Sequence, residues 1–200
     1  VLSARDVWVR YGRRSPWVLE GVDLDLAPGE VLGLHAPSGR GKSTLAAALA
    51  GLRRPDRGEV TADGVPVGAG RGPRPVQLVG QHADRAVNPR WRIREVLAEA
   101  RPDGPERAVA EQGLVDEGWL ERYPHEISGG ELQRVNLARA LLVEPRYLLA
   151  DEISSSLDAL TQAVLWRHVR AYVDRTGAGV LAISHDAPLL DQVADRVVTR

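Results

Sequence analysis

Apolar and polar residues alternate twice near the start of the chain, at Val7 and Val9 and again at Val22, Leu24 and Leu26, where a Pro28-Gly29 turn follows. A period of two marks half-buried strands, so two antiparallel strands are predicted there. The next apolar run, Val31-Leu32-Gly33-Leu34, leads straight into Ala36-Pro37-Ser38-Gly39-Arg40-Gly41-Lys42-Ser43-Thr44 and then into an alanine- and leucine-rich helix over 45–52. Glycine, proline and arginine dominate residues 53–75, which predicts turns and a short hairpin around 59–67. From 93 to 120 the pattern is helical and polar, with Pro102, Gly104, Pro105 and Gly113 breaking it into short pieces of a small helical subdomain. Ser128-Gly129-Gly130 then opens a helix reaching 142, and Pro145 closes it ahead of an apolar strand at 147–150. A helix over 159–175 precedes a last apolar strand at 179–183. Strands alternating with helices after the glycine-rich segment predict an α/β chain with a mainly parallel core sheet covered by helices.

Composition narrows this reading. A chain of 200 residues, 44% hydrophobic and 26% charged, is enough for one buried core. It has no cysteine, which excludes disulfides and thiolate metal sites. The longest clean apolar stretch, 44–52, is far short of the roughly 18 residues of a membrane span, and no secretory signal pattern stands at the start. A net charge of -1 gives no general basic footprint, so no nucleic acid partner is expected. Of the 26 basic residues only Lys42 is lysine, and it lies in the glycine-rich segment. A tight phosphate cradle favours a compact ammonium on a thin stem over a flat guanidinium.

Residues 36–43 match the phosphate-loop pattern G-x-x-x-x-G-K-[ST] except at the first position, where Ala36 replaces glycine. In such a loop, backbone N–H groups and a helix N-terminus converge on phosphate, the lysine reaches the outer phosphates and the hydroxyl binds Mg²⁺. Alanine at 36 costs little if its φ is negative and about 1 kcal/mol if φ must be positive. The strand Tyr147-Leu148-Leu149-Ala150 delivers Asp151 and Glu152 at its C-terminal end, where open α/β sheets bind ligands. Asp151 suits Mg²⁺ and Glu152 suits activation of water. Alone, such a pair also fits a solvated turn. Likewise Ser128-Gly129-Gly130 reads either as an anion site at a helix start or as an ordinary serine N-cap.

Taken together, Ile127-Ser128-Gly129-Gly130-Glu131, the phosphate loop and the Asp151-Glu152 strand resemble the ABC-type ATPases over essentially the whole chain. The resemblance implies one ABC ATPase domain over 1–200. Residues 1–81 and 141–200 would form a P-loop core with an N-terminal antiparallel β-subdomain, and 82–140 an inserted helical subdomain carrying the signature. It implies ATP and Mg²⁺ as ligands. Ser38, Gly39, Arg40, Gly41, Lys42, Ser43 and Thr44 would hold the nucleotide in one subunit, and Ser128, Gly129, Gly130 and Glu131 would close on it from the other subunit of a head-to-tail pair. Tyr11 resembles the aromatic that stacks on adenine. Gln81 resembles the glutamine near Mg²⁺ and attacking water, Asp158 a residue of the interface loop, and His185 the histidine that reaches the γ-phosphate. Ser43, Gln81 and Asp151 are thereby the expected metal ligands, and Glu152, His185 and Gln81 the expected catalytic residues. The stretch Glu152-Ile153-Ser154-Ser155-Ser156 departs from the family's usual proline and threonine after the glutamate.

Residues 81–94 and Tyr123-Pro124-His125-Glu126 look like the peptide- and nickel-importer branch, whose members commonly continue well beyond the equivalent of residue 200. That resemblance implies a cytoplasmic protein on the inner face of the membrane, partnered by a second ATPase subunit, by permeases and, indirectly, by a substrate-binding protein. Two other classes remain. A DNA-repair or chromosome-organising ATPase would carry long coiled coils, but 81–127 has no sustained heptads. A regulatory nucleotide-binding subunit with little turnover finds its one argument in Ala36.

Overall fold

The computed structural model describes residues 1–37, 39–68, 74–110 and 113–200. In chain order its elements are β1 (Leu2–Val9), β2 (Leu19–Leu26), β3 (Val31–His35), α1 (Lys42–Leu49), β4 (Arg57–Ala62), β5 (Val65–Pro66) and β6 (Val76–Val79). Four helices follow, α2 (Ala83–Ala86), α3 (Ile93–Ala98), α4 (Gly104–Ala110) and α5 (Gly129–Leu142), and then β7 (Tyr147–Asp151), α6 (Ala159–Thr176), β8 (Gly179–Ser184), α7 (Ala187–Val193) and β9 (Arg196–Thr199). They form two compact units: Val1–Leu78 with Arg146–Asp151 and Tyr172–Arg200, and Val79–Pro145 with Glu152–Ala171.

The first unit holds two sheets. One is antiparallel, in the order β2-β1-β4-β5, and the other runs β6-β7-β8-β3-β9. In the second, β7, β8, β3 and β9 are parallel, with His35 opposite Ser184 and Asp151 opposite Ile183. β7 and β8 are buried at every position, as strands covered on both faces must be. Helix α1 packs against β1 and β4 of one sheet and β7 of the other. Its Leu45 and Leu49 are at most 1% exposed, each worth about 1.5–3 kcal/mol of burial, and together with Leu2, Leu26, Leu32 and Leu149 they form one core. This packing fixes where the helix begins, and so where the glycine loop must turn. Tyr147 is buried among the same residues and donates its hydroxyl to Asp63 Oδ1 at 2.8 Å, at the β4–β5 turn. Burial first, and then the Asp63 carboxylate, pushes the phenol up to about 12.

In the second unit α5 packs against α2, α3 and α4. Val96, Leu97, Ala108 and Val135 are fully buried there, and the buried Gln133 donates to the Gly80 carbonyl at 3.0 Å. Among the described residues no helix is long and apolar enough to cross a membrane.

The expected elements are found with shifted ends. The first helix starts three residues earlier than its apolar run, at Lys42, because the end of the glycine loop is already helical. It stops at Leu49 ahead of Gly51, which adopts φ 66°. The strands β6 and β9, of four residues each, and helix α7, of seven, are too short to show a period in the pattern.

Candidate functional site

β3 lies between β8 and β9 and ends at His35, and the chain then turns into α1 within six residues. Ala36 is fully buried and its φ is negative: among the described non-glycine residues positive φ is confined to Asp6, Asp63, Glu144 and Glu152. Alanine therefore fits at 36 without strain. Gly41, by contrast, caps α1 at φ 78°, and a Cβ on it would lie 2.9 Å from both the Val18 carbonyl and Leu19 Cδ2. Glycine is required on both counts. No side chain caps α1, so its first N–H groups keep their capacity for an anion. Lys42, 8% exposed, reaches back inside the loop and donates to the Ala36 carbonyl at 2.7 Å. Gly39, Arg40 and Ser43 are exposed and Thr44 is buried. Ser38 lies outside the described residues.

The parallel pairing brings two further groups to the C-terminal end of the strands, where this loop begins. Asp151 ends β7 as a buried carboxylate, and His185 follows β8, exposed, with its carbonyl 3.2 Å from His35 Nε2. Tyr11 belongs to the same unit: 66% exposed, it shares a 2.9 Å hydrogen bond with Thr44 Oγ1. The Arg53 guanidinium lies 4.3 Å from its ring centre. As a site for Mg²⁺ the donors fit, because the Ser43 hydroxyl and Asp151 carboxylate are hard oxygens. Among the described residues no group of three His, Asp or Glu side chains gathers as a self-sufficient metal site. An ion held here would draw its remaining ligands from phosphate and water, as Mg²⁺ commonly does.

The second unit carries the other candidates. Ser128 caps α5 in a reciprocal box: its Oγ accepts from Glu131 N at 3.3 Å and its N–H donates to Glu131 Oε2 at 2.7 Å. The Glu131 carboxylate is thus engaged by its own helix start. A Cβ on Gly130 would come within 3.2 Å of Thr161 Cγ2 and 3.5 Å of Leu157, so this glycine lets α5 begin close against the turn before α6. Asp158 caps α6, accepting from Leu160 N and Thr161 N at 3.0 Å and from the Thr161 hydroxyl at 2.6 Å. Glu152 holds φ 55°, left-handed backbone that a residue with a side chain rarely adopts. Its carbonyl accepts from both the N–H and the hydroxyl of Ser155. Ser154, 3% exposed, accepts from Trp166 Nε1 at 3.0 Å and Gln162 Nε2 at 3.1 Å. Gln81 is exposed just after β6.

Residues 19–155 match the family model described as ABC transporter. The chain belongs to the ABC transporter family. It is 39% identical to the nickel import ATP-binding protein NikE of Pseudomonas putida, an alignment covering 93% of this chain and 75% of that one. It is 35% identical to a putative peptide import ATP-binding protein of Brucella ovis over 99% and 68% of the two chains. The dimeric structure of MJ0796, a bacterial ABC transporter cassette, shares the fold with a TM-score of 0.86 at 22% identity, over all of this chain and 94% of that one. A post-hydrolysis dimer of the same cassette bound to ADP and Pi gives 0.84 at 23%, with the same coverage. This ABC protein is an ATP-binding subunit and an ATPase of the transporter kind, rather than a chromosome-organising or purely regulatory relative. The α/β fold with parallel core, antiparallel β-sheet and helical part is the expected one.

Of the candidates in this ABC ATPase, the first unit holds Tyr11, the glycine loop, Asp151 and His185, and the second holds Gln81, Ser128–Glu131, Glu152 and Asp158. Three residues with a part in these arrangements escaped the sequence. His35 and Arg53 carry no motif, and Ser154 sits in a serine run whose members look alike until Trp166 and Gln162 single one out.

Proposed function

We propose that this ABC ATPase powers an importer of nickel or peptides, working as one half of a head-to-tail pair beneath membrane permeases. It would lie on the cytoplasmic face of the membrane and meet a substrate-binding protein only indirectly. The observation that carries the mechanism is the uncapped start of α1, with Lys42 folded into its loop and the buried Asp151 carboxylate at the same C-terminal end of the parallel strands.

In this reading the loop amides and Lys42 bind the phosphates, with Ser38, Gly39, Arg40 and Thr44 completing the cradle and Tyr11 stacking on the base. Ser43, Asp151 and Gln81 would hold Mg²⁺, which when bound supplies charge neutralisation at the outer phosphates. Glu152 accepts the proton of the attacking water and His185 donates to the γ-phosphate. Ser128, Gly129, Gly130 and Glu131 of the partner, with its Asp158 loop, close the second side. The two domain parts, 1–81 with 141–200 and 82–140, would act as nucleotide core and as relay to the permeases. Both the nickel and the peptide relatives support the importer reading, and a signature at a helix start supports pairing.

The test combines two variants. Glu152→Gln removes the base but keeps shape, so turnover should fall about 10²–10⁴-fold with binding retained. By size exclusion with ATP the variant should accumulate as a dimer, alone or with a paralogous subunit. Adding Ser128→Arg should abolish that dimer while monomer affinity for ATP stays near normal. A Glu152→Gln protein that hydrolyses ATP at the wild-type rate, alone and with partner, would refute the assignment of the base.

A further inference from the structure

Tyr11 stands beside the phosphate loop with one hydroxyl bond to Thr44 and two ring faces, one of them covered by a cation. Arg53 comes from the segment after α1, where its own N–H is bonded to the Ala47 carbonyl at 3.1 Å. Its Nη2 donates to the carbonyl of Arg10, the residue before Tyr11, at 2.6 Å, while its Cζ sits 4.3 Å from the tyrosine ring centre. The arginine therefore ties the end of the phosphate-loop helix to the backbone that carries the aromatic. Arg10 cannot share this task, because its guanidinium lies over Trp17 at 4.4 Å.

We infer that Arg53 is a nucleobase-positioning residue: its guanidinium backs one face of Tyr11 and presets the other to receive the purine of the bound nucleotide. The inference rests on the reading of Tyr11 as the base-stacking aromatic. Two physical effects follow from the geometry. The ring, held by Thr44 at its tip and by Arg53 on its face, loses little rotational freedom when a base arrives. The cation also draws the ring's π-density toward the covered face, which reduces repulsion between the stacked clouds of tyrosine and purine on the open face. The opposite arrangement, with Arg53 occupying the face the base must take, predicts a gain in affinity when the side chain is removed.

Calorimetric binding of MgATP and of magnesium tripolyphosphate to the full chain separates these cases, in wild type, Arg53→Ala, Arg53→Lys and Tyr11→Ala. Arg53→Ala should weaken ATP binding about 3- to 30-fold, the range of a partly desolvated cation–π contact, while tripolyphosphate affinity is unchanged. Arg53→Lys, which keeps the charge but not the planar stack or the fork, should fall between. Unchanged or tighter ATP binding in Arg53→Ala overturns the inference, and so does an equal loss for tripolyphosphate, which would reveal a general charge or folding effect. If Arg53→Ala is silent while Tyr11→Ala lowers the ratio of ATP to tripolyphosphate affinity, only the role of Arg53 fails. If Tyr11→Ala leaves that ratio unchanged, the base does not stack there, and both readings fall.

Discussion

Glu152 sits at φ 55°, where the Cβ of an L-residue crowds its own backbone, at a cost of about 1–2 kcal/mol relative to glycine. The neighbouring turn is held by its carbonyl, through Ser155 N at 3.2 Å and Ser155 Oγ at 3.0 Å, and these bonds do not depend on the side chain. Comparing Glu152→Gly with Glu152→Ala therefore isolates the backbone penalty, since both lose every contact of the carboxylate. Glycine's extra freedom in the unfolded chain works the other way by about 0.4–1 kcal/mol. The net preference should lie within about 0–1.6 kcal/mol, centred near 0.8, for Glu152→Gly, reversing the usual order of these residues. At about 2–4 °C per kcal/mol for a chain of this size, the glycine variant should melt roughly 1–4 °C above the alanine variant. Calorimetric melting without nucleotide gives the difference, and ATPase assays should find both variants equally impaired. An alanine variant melting at or above the glycine variant would refute the strain argument, and with it the idea that stability is sacrificed to aim this carboxylate.

Ala36→Gly should lower unfolding free energy by about 0.4–1 kcal/mol in urea titrations and leave ATP affinity unchanged, because φ at 36 is already negative. Ser154→Ala strips the acceptor from the buried Trp166 N–H and should cost about 1–3 kcal/mol, whereas Ser154→Thr keeps the hydroxyl and most of the stability; equal losses in the two would show that the hydroxyl is not the cause. The Thr161 hydroxyl, followed by the Thr161 and Leu160 amides, holds the Asp158 carboxyl below its ordinary 3.8. A depressed folded value stabilises above the unfolded one and is lost as pH falls through it, so the advantage of wild type over Asp158→Asn should be complete above about pH 4 and vanish on further acidification. A difference between the two that stays constant to pH 2 would contradict this.

The glycine loop between β3 and α1 was legible because an apolar strand, a glycine-rich turn and an alanine-rich helix follow one another without a gap, and the strand of Asp151 because an unbroken apolar run can only be buried. What the loop's one irregularity meant was not legible: the residue at 36 had two readings, and only the backbone angle chose between them. Glu152 shows the same limit from the other side, since no residue type announces that it will be held left-handed. Ser128 was readable either as a cap or as an anion site, and the structure shows the cap fully formed while Gly129 has open space beside it. Arg53 and His35 act through contacts 43 and 150 residues apart in the chain, separations at which local pattern carries no information.

The close approach at Gly130 has a consequence for how such sequences can drift. A Cβ at 130 would lie 3.5 Å from Leu157, in the turn before α6, and 3.2 Å from Thr161, in the first turn of that helix, and Thr161 also holds Asp158. A Cβ at 130 would press on the Thr161 methyl at 3.2 Å, which would have to yield slightly or be lost, and shrinking 161 to alanine would forfeit the hydroxyl bond to Asp158. Substitutions at 130 and 161 should therefore travel together among descendants of this protein. A chain that acquired a larger residue at 130 alone would show two defects at once, one at the start of α5 and one at the cap of α6.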